Sequence, residues 1–461
     1  MRILAPGVLA AGMLAGCSLV RPPEYSPETA PPLPDVPRDW QMQALQSDVL
    51  DGWAARFEDP QLLRLIVESQ AGNPSLNAAA AALRQARLLT VQAKAALLPS
   101  VAAQGSYSTG GKLEGQTPSP DTYQFGMPIS YLLDVWGDVR AGHRAARADY
   151  EALLLTYRYA RMSLAASVAK AYFVAKEADQ QIRIQENSVD ALARILELVR
   201  QQQAAGAATG QDLNVAQSDL ASAQSVLLRK QQGARTARRA LHLLLGRYPA
   251  DGLAIDSAYP QLPPMPAAGV PATLLERRPD LVAAERSVAA AFDRVHIAKV
   301  ARLPRINLSA GLRGLAYAAA EVFEPASISW NLGPSLAAPV FQGGVVRARH
   351  DAAQAAREAA VANYTSKALF AFNEVESHLD LNRVLAEREA RLRVSYETAR
   401  NAHRVAALRY ENGAIDLTIL LDNQRREYSR QSDLVALQRT QLEARVDLFL
   451  ALGGDWEAPV E

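Results

Sequence analysis

The side chains that could do covalent or acid–base chemistry are few and scattered. Six histidines, His143, His242, His296, His350, His378 and His403, lie far apart. None forms the i,i+4 pair that would put two imidazoles on one helix face for a metal. There is no HExxH, no glycine-rich phosphate loop and no zinc pattern. Glu374 and Glu376 could in principle divide the acid and base roles of a hydrolase, but on a helix they read as solvated charges. A single cysteine, Cys17, excludes an internal disulfide framework and a cysteine-rich zinc site. With 49 basic against 48 acidic side chains and a net charge of +1, nothing gathers a footprint for nucleic acid. These counts argue against an enzyme, against a cofactor and against a nucleic-acid partner.

The one position with clear chemistry is the thiol itself. Residues 1–17, MRILAPGVLAAGMLAGC, place Arg2 before an apolar stretch from Ile3 to Ala15, with small residues just before Cys17, the pattern of an export signal. Leu14-Ala15-Gly16-Cys17 resembles the bacterial lipobox, which implies a signal peptide over 1–16 and a covalent lipid on Cys17. Ser18 stands where aspartate would mark retention at the inner membrane, so the resemblance points to the outer membrane. Arg21 to Arg38 is proline-dense and extended, and residues 17–60 read as the lipid-anchored cysteine and its tether. No later stretch of about 18 uncharged residues could span a bilayer as a helix, so any further membrane insertion must use strands.

The elements that position everything else come twice. Asn73-Pro74-Ser75-Leu76 returns about 205 residues later as Arg278-Pro279-Asp280-Leu281, Leu98-Pro99 as Leu303-Pro304, and Trp136 as Phe341. The offset then becomes about 207, pairing Gly206 with Gly413, Gln217 with Gln424 and Leu245-Gly246 with Leu452-Gly453. The chain therefore divides into a first repeat at 61–246, a proline-rich connection at 247–271, a second repeat at 272–453 and a tail at 454–461. Each repeat begins with a helix (about Gln61–Leu97 and Ala272–Arg302) and continues with two strands. Each then has a proline-free stretch (about Val139–Ala205 and Val345–Asn412) long enough for a helix of about 100 Å. A glycine-containing turn leads into a shorter helix, about Asp212–Leu245 and Leu417–Leu452. Helices of this kind can form a solid coiled coil as well as a tunnel.

The strands decide between these. Tyr123, Phe125, Met127, Ile129, Tyr131 and Leu133 share one face, with Gln124, Gly126, Pro128 and Ser130 on the other, and Leu132 as the exception. Ile328–Ala338 alternates in the same way, and Val101–Ser108 and Ile306–Arg313 do so more weakly. Gly110-Gly111-Lys112 and Glu321–Glu324 read as connecting loops. Alternation over about 10 residues suits a transmembrane barrel, though a soluble sandwich shows it too. Four strands cannot close alone, because the smallest membrane barrels have about eight and bare edges are not tolerated in lipid. Three chains would supply twelve strands and room for solvent.

The lipobox, the tether, the doubled plan and the segments Tyr410-Glu411-Asn412-Gly413 and Leu420-Leu421-Asp422-Asn423-Gln424-Arg425 together resemble the TolC-like outer-membrane efflux factors, specifically their lipoprotein branch. The resemblance implies a mainly α fold with a β-barrel part: a homotrimer whose twelve-stranded barrel, four strands per chain, continues into a periplasmic α-helical tunnel. It implies outer-membrane lipids, a periplasmic adaptor (membrane fusion) protein and an inner-membrane pump of the resistance-nodulation-division (RND) class as partners. It also implies passive efflux of drugs or other small toxic compounds. Protein secretion, metal efflux or a non-transporting structural lipoprotein stay open as alternatives. Carried onto this chain, the family's periplasmic gate falls on Tyr410, Asp422 and Arg425, with Asp416 a further acidic candidate. Thr418 occupies a position where the family often has a bulkier apolar residue. Adaptor docking falls on the turns at Gly206, Gly210 and Gly413. By spacing alone, Asp422 and Arg425 are an i,i+3 pair on a helix surface.

Overall fold

A computed structural model of the chain describes residues 37–42, 51–111, 118–250 and 252–456. The signal peptide, Cys17 and most of the tether lie outside them.

Each expected first helix is in fact two. α1 (Pro60–Gly72) stops before α2 (Pro74–Ala95), and in the second repeat α5 (Pro271–Arg277) stops before α6 (Pro279–Val300). The cause is Pro74 and Pro279, which have no N–H to donate and force the preceding residue out of the helical region. Asn73 accordingly sits at φ −70°, ψ 120° and Arg278 at φ −75°, ψ 118°. The two breaks are held by different chemistry. The Asn73 carboxamide oxygen accepts from the N–H groups of Ser75 (2.9 Å) and Leu76 (3.1 Å), while its amide donates to the Leu244 carbonyl at 2.9 Å. Buried Arg278 donates through Nε and Nη2 to the two carboxylate oxygens of Asp280, at 3.0 and 2.8 Å, and through Nη1 to Glu374 at 2.6 Å.

The remaining helices repeat at the same lengths. α3 (Asp138–Ala204) and α7 (Val345–Glu411) have 67 residues each, and α4 (Gly210–Leu244) and α8 (Leu417–Ala451) have 35 each. A 67-residue helix is about 100 Å long.

The chain forms two compact units, to both of which α3 and α7 contribute. One takes in Asp35–Ala80, Thr156–Leu281 and Lys367–Glu461. Its largest core joins Trp53, Phe57 and Ile66 to Tyr172 and Phe173 of α3, Leu241 of α4 and Phe449 of α8. Trp53 and Phe57 lie in a one-turn 3₁₀ helix, Trp53–Phe57, so the tether read over 17–60 gives way to folded structure before it ends. Burying two such aromatics stabilises the fold by about 1.5–3 kcal/mol apiece. Even Trp40 is tied down, its indole N–H donating to the carbonyls of Ala268 (3.2 Å) and Gly269 (3.1 Å).

The other unit includes Ala81–Leu155 and Val282–Ser366 and carries the sheet. β1 (Ser100–Val101) and β2 (Gln104–Gly111) both lie along β3 (Pro118–Leu133), which pairs with β4 (Arg305–Ala316), which pairs with β5 (Ile328–Ala337). All pairs are antiparallel. The first expected strand is thus two pieces, making five strands where four were read. Both pieces keep one register, Val101 opposite Ile129 and Gln104 opposite Gly126, and the gap falls opposite Pro128, which has no N–H for the ladder. The segment expected as a loop around Glu321–Glu324 contains two 3₁₀ turns, Ala319–Phe323 and Pro325–Ser327.

Register sorts the side chains by face. Met127, Leu312 and Trp330 stand in one row, and Leu133, Ile306 and Leu336 in another. On the opposite face Ser130, Ser309 and Gly333 form a row, as do Gly126, Arg313 and Ser329. Trp330 is 77% exposed and Leu336 69%, so the apolar face is uncovered in a single chain. Both edges, β5 and β1/β2, lack a strand partner among the described residues.

Candidate functional site

The site residues converge where the long helices turn back. Both turns solve the same problem, because a helix end leaves carbonyls without partners. In the first, Gly206 takes φ 73° and donates to the Gln203 carbonyl (3.0 Å), and Ala207 donates to that of Gln202 (2.7 Å). In the second, Gly413 takes φ 69° and donates to Tyr410 (2.9 Å), and Ala414 to Arg409 (2.8 Å). Each is a Schellman motif, and each needs a residue that tolerates the left-handed region. The α4 start is then closed by a reciprocal cap: the Asp212 N–H donates to the Thr209 hydroxyl at 3.2 Å, and the Thr209 N–H to the Asp212 carboxylate at 2.9 Å. The Thr209 hydroxyl and N–H hold the Asp212 carboxyl below the usual range. Gly210 is the first residue of α4, inside this cap. Asp416 occupies the equivalent place before α8 but makes no side-chain cap, leaving its carboxylate exposed.

Behind the turns, Leu192, Leu196 and Val199 of α3 pack with Tyr410 of α7 and Leu417, Leu420 and Leu421 of α8. Tyr410 is only 7% exposed, and its hydroxyl donates to the Gln202 side-chain oxygen at 2.9 Å. That bond joins the two repeats, α7 to α3. Burial, and then the charge of Asp212, raise the Tyr410 phenol above its ordinary value, so it remains a neutral donor.

Asp422 and Arg425 behave differently. Arg425 Nη2 lies 3.6 Å from the Asp422 carboxylate, whereas Arg426 Nε donates to it at 2.8 Å. All three sit on one helix and are at least partly exposed, so within a single chain they form a local cluster that joins no helices. Thr418 is exposed and lies outside the Tyr410 cluster. The structure thus brings Tyr410 to Gln202 and Asp422 to Arg425 and Arg426, but does not bring Tyr410 to Asp422. Arg426 was legible as an i,i+4 partner; Gln202 carried no local signal.

Other residues considered for chemistry have structural partners. Glu374 meets Arg278, and Glu376 accepts from the N–H groups of Gln41 (2.6 Å) and Met42 (3.1 Å), so neither is the free surface charge that the sequence suggested. His242 and His296 are buried, and His296 Nε2 lies 3.0 Å from the Trp136 carbonyl oxygen. Cys17 lies outside the described residues.

Comparison with known proteins agrees with the doubled plan. The family described as Outer membrane efflux protein matches residues 65–247 and again 270–454, one match per repeat. The pyoverdine export outer membrane protein OpmQ of Pseudomonas aeruginosa is 32% identical, over 92% of each chain. The cation efflux system protein CusC of Escherichia coli is 28% identical, over 96% of this chain and 97% of the relative. The open-state crystal structure of the MtrE outer membrane channel of Neisseria gonorrhoeae superimposes with a TM-score of 0.85 at 26% identity, covering 95% of this chain and all of that one (100%). With both repeats matched and the relatives covered nearly end to end, the chain belongs to the outer membrane efflux protein family.

Proposed function

We propose that three copies of this chain assemble into the outer-membrane duct of a tripartite efflux system, carrying small toxic compounds outward without a catalytic step. The observation that carries this is the sheet. It has one apolar face open to its surroundings, one polar face, and two edges that find no strand partner among the described residues. In hydrocarbon each bare N–H or C=O costs several kcal/mol, so the edges must be closed by pairing β5 of one copy with β1/β2 of the next. A second contact supports the same closure. Within one chain the Trp136 indole N–H donates to the Pro304 carbonyl at 2.7 Å. Its repeat counterpart Phe341, which has no side-chain N–H to donate, is 89% exposed, and the Pro99 segment matching Pro304 is exposed too, leaving an apolar contact there for a neighbouring copy.

The periplasmic gate in this reading is the cluster behind the two turns. The Tyr410–Gln202 bond ties the repeats in the resting state, while Asp422, Arg425 and Asp416, brought near a common axis by three copies, form a charged mouth that attracts cations. Thr418 adds no bulky ring there. A periplasmic adaptor docking on the turns at Gly206, Gly210 and Gly413 shifts the helices toward an open state by binding it more tightly than the closed one. An inner-membrane pump of the RND class supplies the energy and selects the cargo. Acyl chains on Cys17 anchor each copy to outer-membrane lipid, and no other prosthetic group is needed.

The test is reconstitution of the purified full-length protein in planar bilayers, with gel analysis of unheated samples. The expected result is a trimer giving discrete conductance steps; a monomer with no steps would refute the duct. Deletion in the parent bacterium is expected to raise susceptibility to small toxic compounds.

A further inference from the structure

Electric charge on the polar face of the sheet is confined, among the described residues, to two arginines on β4. The register places Arg305, Asn307, Ser309 and Arg313 on that face, opposite Ser130, Gly126 and their neighbours on β3 and Ser329 and Asn331 on β5. Arg305 begins the strand at the end that leads toward α3, within electrostatic reach of the Asp138 carboxylate. Arg313 has no such partner. Its Nη2 donates to the Gln124 side-chain oxygen at 3.0 Å, and its backbone carbonyl accepts from the Ser329 hydroxyl at 3.2 Å. A neutral amide orients the guanidinium without cancelling it, and no described carboxylate forms an ion pair with Arg313. The side chain is exposed, and it helps line a recess of about 540 Å³ together with Gln104, Gln124, Ser130 and Asn331, so this face is the concave, wettable one. Along the chain, β3 leads directly into α3; Arg313 lies opposite Gly126, midway along β3, and opposite Ser329 near the start of β5, so it stands farther from that junction than Arg305 does.

We propose that Arg313 is a specificity-determining residue of the exit: three copies form a positive ring inside the barrel that favours small anions and opposes cations. This rests on the trimeric reading above. A ring of fixed charge acts over about one screening length, roughly 10 Å at 0.1 M salt, which in a narrow lumen changes local ion concentrations by about twofold.

The experiment is the reversal potential of reconstituted full-length trimers in a KCl gradient near 0.1 M. Arg313→Gln should raise the K⁺/Cl⁻ permeability ratio by about fourfold, about twofold from each ion, and Arg313→Lys should keep the wild-type ratio. An unchanged ratio in Arg313→Gln would overturn the proposal, as would an equal change in Arg313→Lys, because then hydrogen-bond geometry rather than charge would be responsible. Should Arg313→Gln fail to assemble, Arg313→Cys can be modified inside the bilayer with thiol reagents bearing a trimethylammonium or a sulfonate group. The ratio must move toward anions with the first and toward cations with the second; identical shifts overturn the proposal. Absence of any channel from the wild-type protein would instead refute the duct itself.

Discussion

Tyr410→Phe removes one oxygen atom from the cluster behind the turns and nothing else. The hydroxyl lost is 2.9 Å from the Gln202 oxygen, in a residue 7% exposed. Gln202 is only half-buried, so its amide regains water when the bond is gone, and the loss stays near the middle of the range for a neutral pair, about 1 kcal/mol. If three copies open together, the closed state loses about 3 kcal/mol, which is roughly a hundredfold in the closed-to-open ratio. The assay is single-channel recording in planar bilayers, comparing open probability and mean conductance for wild type, Tyr410→Phe, Gln202→Leu and the double variant. Each single variant should open far more often, and the double variant should add little, since both changes delete the same bond. Fully additive effects, or a Tyr410→Phe channel indistinguishable from wild type, would remove the bond from the gate.

Asp422→Ala should act differently: its contacts within the chain are the local pairs with Arg425 and Arg426, each worth about 0.2–0.5 kcal/mol, so thermal stability should hardly change while cation permeability through the mouth falls. Arg278→Met removes the buried cation shared by Asp280 and Glu374, but both carboxylates reach water, so the loss is expected to stay within about 1–3 kcal/mol, seen as a lower melting temperature of the detergent-solubilised protein. At Gly413 and Gly206 nothing lies within 4 Å of an added Cβ, so alanine meets only the left-handed backbone, at about 1 kcal/mol. At Gly246 the added carbon would collide with the Gly72 carbonyl oxygen, so Gly246→Ala should fail to fold where Gly413→Ala succeeds. Asp59 predicts an acid limb. Burial raises its pKa, but the Leu62 N–H, Lys176 and the Tyr172 hydroxyl outweigh it and hold the carboxyl below its ordinary value. A depressed folded-state pKa stabilises above the unfolded value and loses that stability as pH falls through the folded one. Melting curves of Asp59→Asn should therefore lie below wild type at neutral pH and converge with it in acid.

Period and pattern alone determined a good deal of this molecule. The doubling is written in matched segments, and long proline-free runs without other breakers could hardly be anything but long helices. Strict alternation put Met127, Ile129 and Leu133 on one face, and the register of β3 with β4 places them there. The breaks at Pro74 and Pro279 are masked in the sequence because the helical pattern resumes immediately after each proline, so periodicity alone runs the flanking segments together as one helix. The cut in the first strand was hidden for another reason, since it depends on Pro128 lying across the ladder, a fact of register and not of local sequence.

Tertiary structure alone decided which polar groups meet. Tyr410 and Gln202 are more than two hundred residues apart, and Arg278 reaches Glu374 across a similarly silent separation. Local sequence can announce an i,i+4 neighbour such as Arg426 because the helix fixes that distance, but no local rule fixes the distance between two helices. That is set by how their side chains pack, just as the pairing of β3 with β4 is what sets Arg313 against the neutral Gln124.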